Sequence, residues 1–176
     1  MDDKIIHQSG SMGQVIEAIT PDVNIRPKDC LGVKHSDPGT IVIMGATGDL
    51  TARKLVPALF NLYLNAGLPD PFCIVGCGRT KLSDPEFRNK MKEALRVKGD
   101  MDALKWPAFA AALNYQSVDY GDLNSFMILT KFLRNLDRKY NTGGNRIFYL
   151  AIPPTLYQPV AQMIGQAGLA KENRNG

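Results

Sequence analysis

The amino-acid sequence predicts an α/β fold built on a doubly wound parallel sheet. Short apolar runs alternate with longer segments of helical period, which is typical of a parallel sheet with helices on both faces. Two glycines, Gly45 and Gly48, join the first apolar run to the first helical segment. Strand, glycine turn and helix in this order open a dinucleotide-binding βαβ unit, so the predicted fold is Rossmann-like. Four strands can be recognised, so we expect the sheet to end before the later strands of such a fold.

The first predicted unit is a strand over 40–44 followed by a helix over 49–65. The strand has no polar residue between Ile41 and Met44, as expected for a strand buried on both faces. Asp49 suits the first turn of the helix, where a carboxylate complements the dipole and can cap free N–H groups. Pro57 implies either a kink or a main helix that begins beside it.

The later elements follow the same alternation. Ser83 and Glu86 form a capping-box pattern, which predicts the start of a helix. The other predicted elements are a strand over 72–76, a helical piece over 101–112, a more polar strand near an edge over 113–118, a helix over 123–140, a strand over 146–152 and a last helix over 156–169.

The domain organisation is predicted from where this alternation begins. Residues 1–38 carry no sustained period and are punctuated by proline, so we expect a flexible N-terminal arm. Residues 39–176 form the predicted NAD(P)-binding domain.

Composition excludes several classes of protein. The chain has 176 residues, 44% of them hydrophobic and 22% charged, which suits one globular domain. A net charge of +4 is too small and too dispersed to indicate a nucleic-acid partner. No apolar run is long enough to span a bilayer, and the N-terminus lacks an apolar signal core. We therefore expect a cytoplasmic protein without a membrane partner.

Three cysteines, Cys30, Cys73 and Cys77, do not form a disulfide framework. Cys73 and Cys77 fall on one predicted strand about 13 Å apart, at about 3.3 Å per residue. This is too far for a bridge. We expect reduced core residues and a reducing compartment.

The candidate site lies where the parallel strands end, because open α/β sheets bind ligands outside the carboxyl ends of their strands. Gly45 lets the chain turn, Gly48 leaves room for a pyrophosphate, and the helix N-terminus attracts phosphate. The second strand ends without an acidic residue and is followed by Arg79. An arginine at this position favours the 2′-phosphate of NADP, whereas NAD sites carry an acid for the ribose hydroxyls. The hydroxyl of Thr47 is suited to bond the same phosphate.

We predict no catalytic residue and no metal site. The sequence has no phosphate loop of the Gly-Lys-Ser/Thr type, no nucleophile elbow and no His/Cys set with metal spacing. Its two histidines, His7 and His35, precede the sheet region and are expected at the surface. A dehydrogenase that oxidises an alcohol needs a general base, and no residue of the sheet region is suited to that role.

Three blocks of the sequence resemble the glucose-6-phosphate dehydrogenase family. They are Gly45-Ala-Thr-Gly-Asp-Leu-Thr-Ala-Arg-Lys-Leu-Val-Pro-Ala-Leu59, Ile74-Val-Gly-Cys-Gly-Arg79 and Ile147-Phe-Tyr-Leu-Ala-Ile-Pro-Pro154 with Tyr157. The blocks occur in the order and at the spacing of the family. Pro57 belongs to the same pattern.

The resemblance implies a cofactor site for NADP and assigns its residues. These are the loop residues Gly45, Ala46, Thr47, Gly48, Asp49, Leu50, Thr51 and Ala52, the 2′-phosphate residue Arg79, and Pro153 and Tyr157 near the nicotinamide. Many members carry a basic residue where this chain has Ala52, so that contact is missing. Some members also accept NAD.

The resemblance covers only the N-terminal, coenzyme-binding portion of the family. The Glu-Lys-Pro-x-Gly strand and the substrate domain with its Asp-His pair have no counterpart in the sequence. The resemblance therefore implies a fragment of a bacterial-type enzyme that oxidises glucose 6-phosphate, inactive alone. The full enzyme is expected to be a homo-oligomer. A stand-alone, non-catalytic NADP-binding module and a structural remnant that binds nothing are the alternatives.

Overall fold

A computed structural model describes residues 37–99 and 101–170. Almost all of the predicted N-terminal arm, both histidines and Cys30 lie outside the described residues. The described part contains four strands, all parallel, in the order β3-β2-β1-β4. The strands are β1 Gly39–Met44, β2 Phe72–Gly78, β3 Leu113–Ser117 and β4 Arg146–Leu150. The predicted α/β class with a parallel sheet is confirmed.

Helices cover both faces of this sheet, as a doubly wound fold requires. A π-helical turn, Thr51–Leu55, leads into the first α-helix, α1 (Val56–Leu64), and a 3₁₀ turn, Pro154–Leu156, leads into the last, α5 (Tyr157–Gln166). The first, second and third helices pack on the face that carries Ile43 and Ile74, while the last two pack on the face that carries Val42 and Val75. The helices are α1 Val56–Leu64, α2 Asp84–Lys98, α3 Trp106–Ala111, α4 Leu123–Tyr140 and α5 Tyr157–Gln166.

The structure tests both sequence signals that predict a helix start, the capping box and Pro57. Ser83 and Glu86 form the predicted capping box, with the Glu86 carboxylate 2.7 Å from the Ser83 amide nitrogen. Pro57 lies at the first positions of α1, so the second interpretation, a main helix that begins beside it, is confirmed. The π-helical turn precedes it, with the Val56 amide donating to the Thr51 carbonyl. A proline without an N–H is thereby accommodated at a helix start.

The helical piece predicted over 101–112 is shorter in the structure. Residues Asp102 to Lys105 form a turn in which the Asp102 carboxylate accepts the Leu104 and Lys105 amides at 2.9 and 3.0 Å. Helix α3 begins only at Trp106, with Pro107 in its first turn. The local side-chain bonds of Asp102 compete with helical hydrogen bonds, which is why the helix starts late.

Strand β4 forms one edge of the described sheet and is incompletely covered. Ile147 pairs with Ile41, and Tyr149 pairs with buried Ile43. Ile147 is nevertheless 64% exposed and Tyr149 is 43% exposed, since α1, α2 and α3 pack with residues of β1, β2 and β3. Polar β3 is the opposite edge, as predicted.

Two further predictions concern the core and the surface. Cys73 and Cys77 are buried and free, as expected. Within the part of the chain that the structure describes, no helix is long and apolar enough to cross a bilayer.

Candidate functional site

The chain turns at Gly45, directly after β1. Gly45 has a φ of +89°, and a Cβ there would lie 2.2 Å from the Ala151 carbonyl oxygen. The amides of Gly45 and Ala46 both donate to the Cys77 carbonyl, at 2.8 and 2.9 Å. Only glycine fits this position, because the backbone is left-handed and the end of β4 lies against it. The predicted turn role of Gly45 is confirmed.

The helix after this turn presents its N-terminus to solvent. The Gly48 amide donates to the Gly45 carbonyl at 2.9 Å, and the Thr51 hydroxyl donates to the same oxygen at 3.1 Å. Thr51 is fully buried, so its side chain holds the loop from inside. Gly48, Asp49 and Leu50 are exposed. Free N–H groups in a first helical turn, together with the helix dipole, form a site suited to phosphate.

Asp49 does not cap this helix. Its carboxylate instead accepts a hydrogen bond from the Arg53 guanidinium at 3.2 Å, and both side chains are largely exposed. Within residues 37–99 and 101–170, no side chain caps the start of the π-helical turn. The Asp49 carboxylate forms the i,i+4 ion pair with Arg53 instead of capping the helix. The N–H groups of the first helical turn therefore stay available to a ligand.

The end of β2 lies beside the loop because two glycines allow close approach. A Cβ on Gly76 would lie 2.5 Å from the Phe87 ring and 2.8 Å from the Ala46 methyl carbon. A Cβ on Gly78 would lie 3.2 Å from the Thr47 hydroxyl oxygen. Thr47 therefore sits against the residue that precedes Arg79.

Tyr120 is a site residue that the sequence interpretation missed. Its hydroxyl donates to the Cys77 carbonyl at 3.2 Å and accepts the Gly45 amide at 2.7 Å. Burial raises the pKa of Tyr120, and the hydrogen bond from the Gly45 amide, followed by the positive charge of Arg79, opposes this shift in part. The hydroxyl is therefore protonated and ties β1, β2 and the segment after β3 together. Its only sequence signal is its position, three residues after the end of β3 at Ser117.

The switch point of the sheet lies between β1 and β4. The strand order runs from β1 through β2 to β3 on one side, and β4 lies on the other side. The Ala151 amide continues the ladder to the Met44 carbonyl at 2.8 Å, and the chain then turns away through exposed Pro153. Tyr157, in the first turn of α5, is 44% exposed. Open sheets bind dinucleotides in the crevice at this point.

The predicted residues therefore fall into two groups. The loop residues, with Arg79, surround the ends of β1 and β2, while Pro153 and Tyr157 lie beyond β4 on the other side of the crevice. A cavity of about 810 Å³ beside α1, lined by residues that include Lys54, Asn61 and Asp102, contains none of them.

A parallel sheet in this order, with a glycine turn and an open helix end at its switch point, defines an NAD(P)-binding α/β domain. Comparison with known proteins specifies the family. The protein-family model described as "Glucose-6-phosphate dehydrogenase, NAD binding domain" matches residues 42–176 of this sequence. The chain belongs to this family.

Individual relatives agree with this assignment. The chain is 41% identical over 134 residues to the glucose-6-phosphate 1-dehydrogenase of Aggregatibacter actinomycetemcomitans, covering 76% of this chain and 27% of the relative. It is 39% identical over 141 residues to that of Treponema pallidum, covering 78% and 27%. A solved glucose-6-phosphate dehydrogenase in complex with glucose 6-phosphate aligns with a TM-score of 0.68 and 29% identity, covering 78% of this chain and 29% of that one. The chain spans about a quarter of the length of the curated relatives it matches.

Proposed function

We propose that this chain is the NADP-binding part of a glucose-6-phosphate dehydrogenase. The observation that carries the proposal is the exposed Arg79 directly after Gly78, where a Cβ would lie 3.2 Å from the Thr47 hydroxyl oxygen of the loop that leads into the open helix N-terminus. The helix end suits the pyrophosphate, and the guanidinium suits the 2′-phosphate that distinguishes NADP from NAD.

The residues present fit such a cofactor. The missing Cβ of Gly48 would approach only the Gly45 carbonyl oxygen, at 3.1 Å, so the outer side of the loop is open to a ligand. The strand end 76–78 is Gly-Cys-Gly and offers no carboxylate to ribose hydroxyls. Arg79 is exposed and free to meet an anion from solvent. The charge and the shape of the site both favour the phosphorylated dinucleotide.

The nicotinamide of a bound NADP supplies the hydride acceptor. In the whole enzyme we expect hydride transfer from C1 of glucose 6-phosphate, which gives the lactone. The residues of this chain bind and orient the cofactor: the loop holds its phosphates, and Pro153 and Tyr157 flank the far side of the crevice. The described residues include no histidine, so we expect no dehydrogenase activity from the chain alone. We further propose that the whole enzyme is cytoplasmic and homo-oligomeric.

Titration calorimetry of the full chain with NADP and with NAD tests the proposal. We expect tighter binding of NADP. The variant Arg79→Gln should lose about tenfold to a hundredfold in NADP affinity and almost nothing in NAD affinity, since a hydrogen bond to a charged group contributes about 1.5–3 kcal/mol. Arg134→Gln, an exposed arginine on α4, is the matched control.

Each alternative predicts a different result. A structural remnant would bind neither nucleotide. If wild type and Arg79→Gln bound NADP equally, Arg79 would not be the phosphate contact. Turnover of glucose 6-phosphate by the purified chain would contradict the expected inactivity. The coding sequence downstream of Gly176 separates an enzyme portion from a stand-alone module.

A further inference from the structure

Lys90 on α2 contacts the candidate phosphate loop from outside. Its ammonium donates a hydrogen bond to the Thr47 carbonyl at 3.0 Å, although the two residues are 43 positions apart. Lys90 is exposed, so the ammonium is at the surface beside the loop. This contact places a cation directly beside Thr47.

The contact fixes one peptide group of the loop at both ends. The Thr47 carbonyl accepts from Lys90, and the Gly48 amide of the same peptide donates to Gly45 at 2.9 Å. A loop carbonyl is a partially negative group that would repel a bound phosphate. With Lys90 as its partner, that oxygen is held toward the ammonium and its charge is compensated.

Helix α2 holds Lys90 in place. The capping box at Ser83 fixes the helix start, and the Phe87 ring packs where a Cβ of Gly76 would otherwise be, at 2.5 Å. Lys90 follows Phe87 by three residues, which is about one helical turn. The sequence does not predict this contact, because a lysine on an exposed helix face is ordinarily solvated.

We propose that Lys90 is a positioning residue that makes this site selective for a dinucleotide carrying a 2′-phosphate. The proposal rests on the proposed function and deepens it. An anion bound to the Thr47 hydroxyl would lie within about one Debye length, roughly 8 Å at physiological ionic strength, of the ammonium. The extra charge therefore stabilises bound NADP, and NAD, which lacks that phosphate, gains far less.

The test compares three variants of the full chain by calorimetry with NADP and NAD. Lys90→Met should weaken NADP binding about fivefold and NAD binding less than twofold, consistent with one partly screened charge. Lys90→Arg should restore most of the NADP affinity, because it keeps both the charge and a donor. Lys92→Met, about 200° around the same helix, is the matched control and should leave both affinities unchanged.

Salt dependence and folding complete the experiment. The difference between wild type and Lys90→Met should shrink as salt rises from about 0.05 to 0.5 M, since salt screens the charge. Thermal melts show whether the variants fold equally.

The possible failures are distinguishable. Equal losses for NADP and NAD would show that Lys90 only shapes the loop, and no loss for either would also overturn the inference while leaving the proposed function intact. Absence of NADP binding by the wild type would overturn both.

Discussion

Replacement of Gly45 by alanine tests the geometry of the glycine turn. The φ of +89° costs an alanine about 1–2 kcal/mol in the left-handed region. The added Cβ would also lie 2.2 Å from the Ala151 carbonyl oxygen and 2.8 Å from its carbon. Both are backbone atoms at the end of β4, so relief requires the strand end to move, and such overpacking adds about 1–3 kcal/mol. We expect Gly45→Ala to lower the free energy of unfolding by about 2–5 kcal/mol.

The assay is urea unfolding followed by circular dichroism, with NADP titration of whatever remains folded. Gly48→Ala is the matched control within the same loop. Its Cβ would meet only the Gly45 carbonyl oxygen at 3.1 Å, and its φ is not in the left-handed region. We expect Gly48→Ala to change stability by less than about 1 kcal/mol but to weaken NADP binding, because the new methyl group occupies the open side of the loop.

Equal midpoints for Gly45→Ala and wild type would refute this reasoning. Such a result would mean that the loop and the end of β4 are farther apart than in the structure. A Gly48→Ala variant that binds NADP as tightly as wild type would show that the ligand does not approach the loop at that point.

Three further substitutions test the support of the loop and the exposure of strand β4. Tyr120→Phe removes the hydroxyl that contacts both Gly45 and Cys77. We expect a loss of about 1–3 kcal/mol in the free energy of unfolding, measured with urea, and weaker NADP binding, measured by calorimetry. Unchanged values in both assays would show that the hydroxyl does not support the loop. Ile43→Thr and Ile147→Thr make the same chemical change on one face of the sheet, at 1% and 64% exposure. The first should cost about 2–3 kcal/mol and the second less than about 0.5 kcal/mol in the same unfolding assay; equal costs would mean that β4 is covered in solution.

Local patterns in the sequence were sufficient for most of the secondary structure. The apolar run before Gly45, the capping box at Ser83 and the amphipathic period over 123–140 each act within a few residues, so their consequences can be read locally. The helix predicted over 101–112 was too long because the turn made by Asp102 competes with helix formation. The spacing of apolar residues carries no sign of that competition. The prediction that Asp49 caps the helix was wrong for a related reason, because its carboxylate accepts a hydrogen bond from Arg53, one helical turn further along.

The residues of the candidate site also differ in whether local sequence patterns predict them. Gly45, Gly48 and Arg79 were found from their positions at strand ends, since a parallel sheet brings those ends to one edge whatever the rest of the chain does. Tyr120 and Lys90 were not found, because their contacts with Gly45 and Thr47 span 75 and 43 positions. The sequence by itself determined the class of fold, the glycine turn and the cation after β2. Only the tertiary structure decided which distant side chains hold that turn, because strand order and helix packing set those distances and no local pattern encodes them.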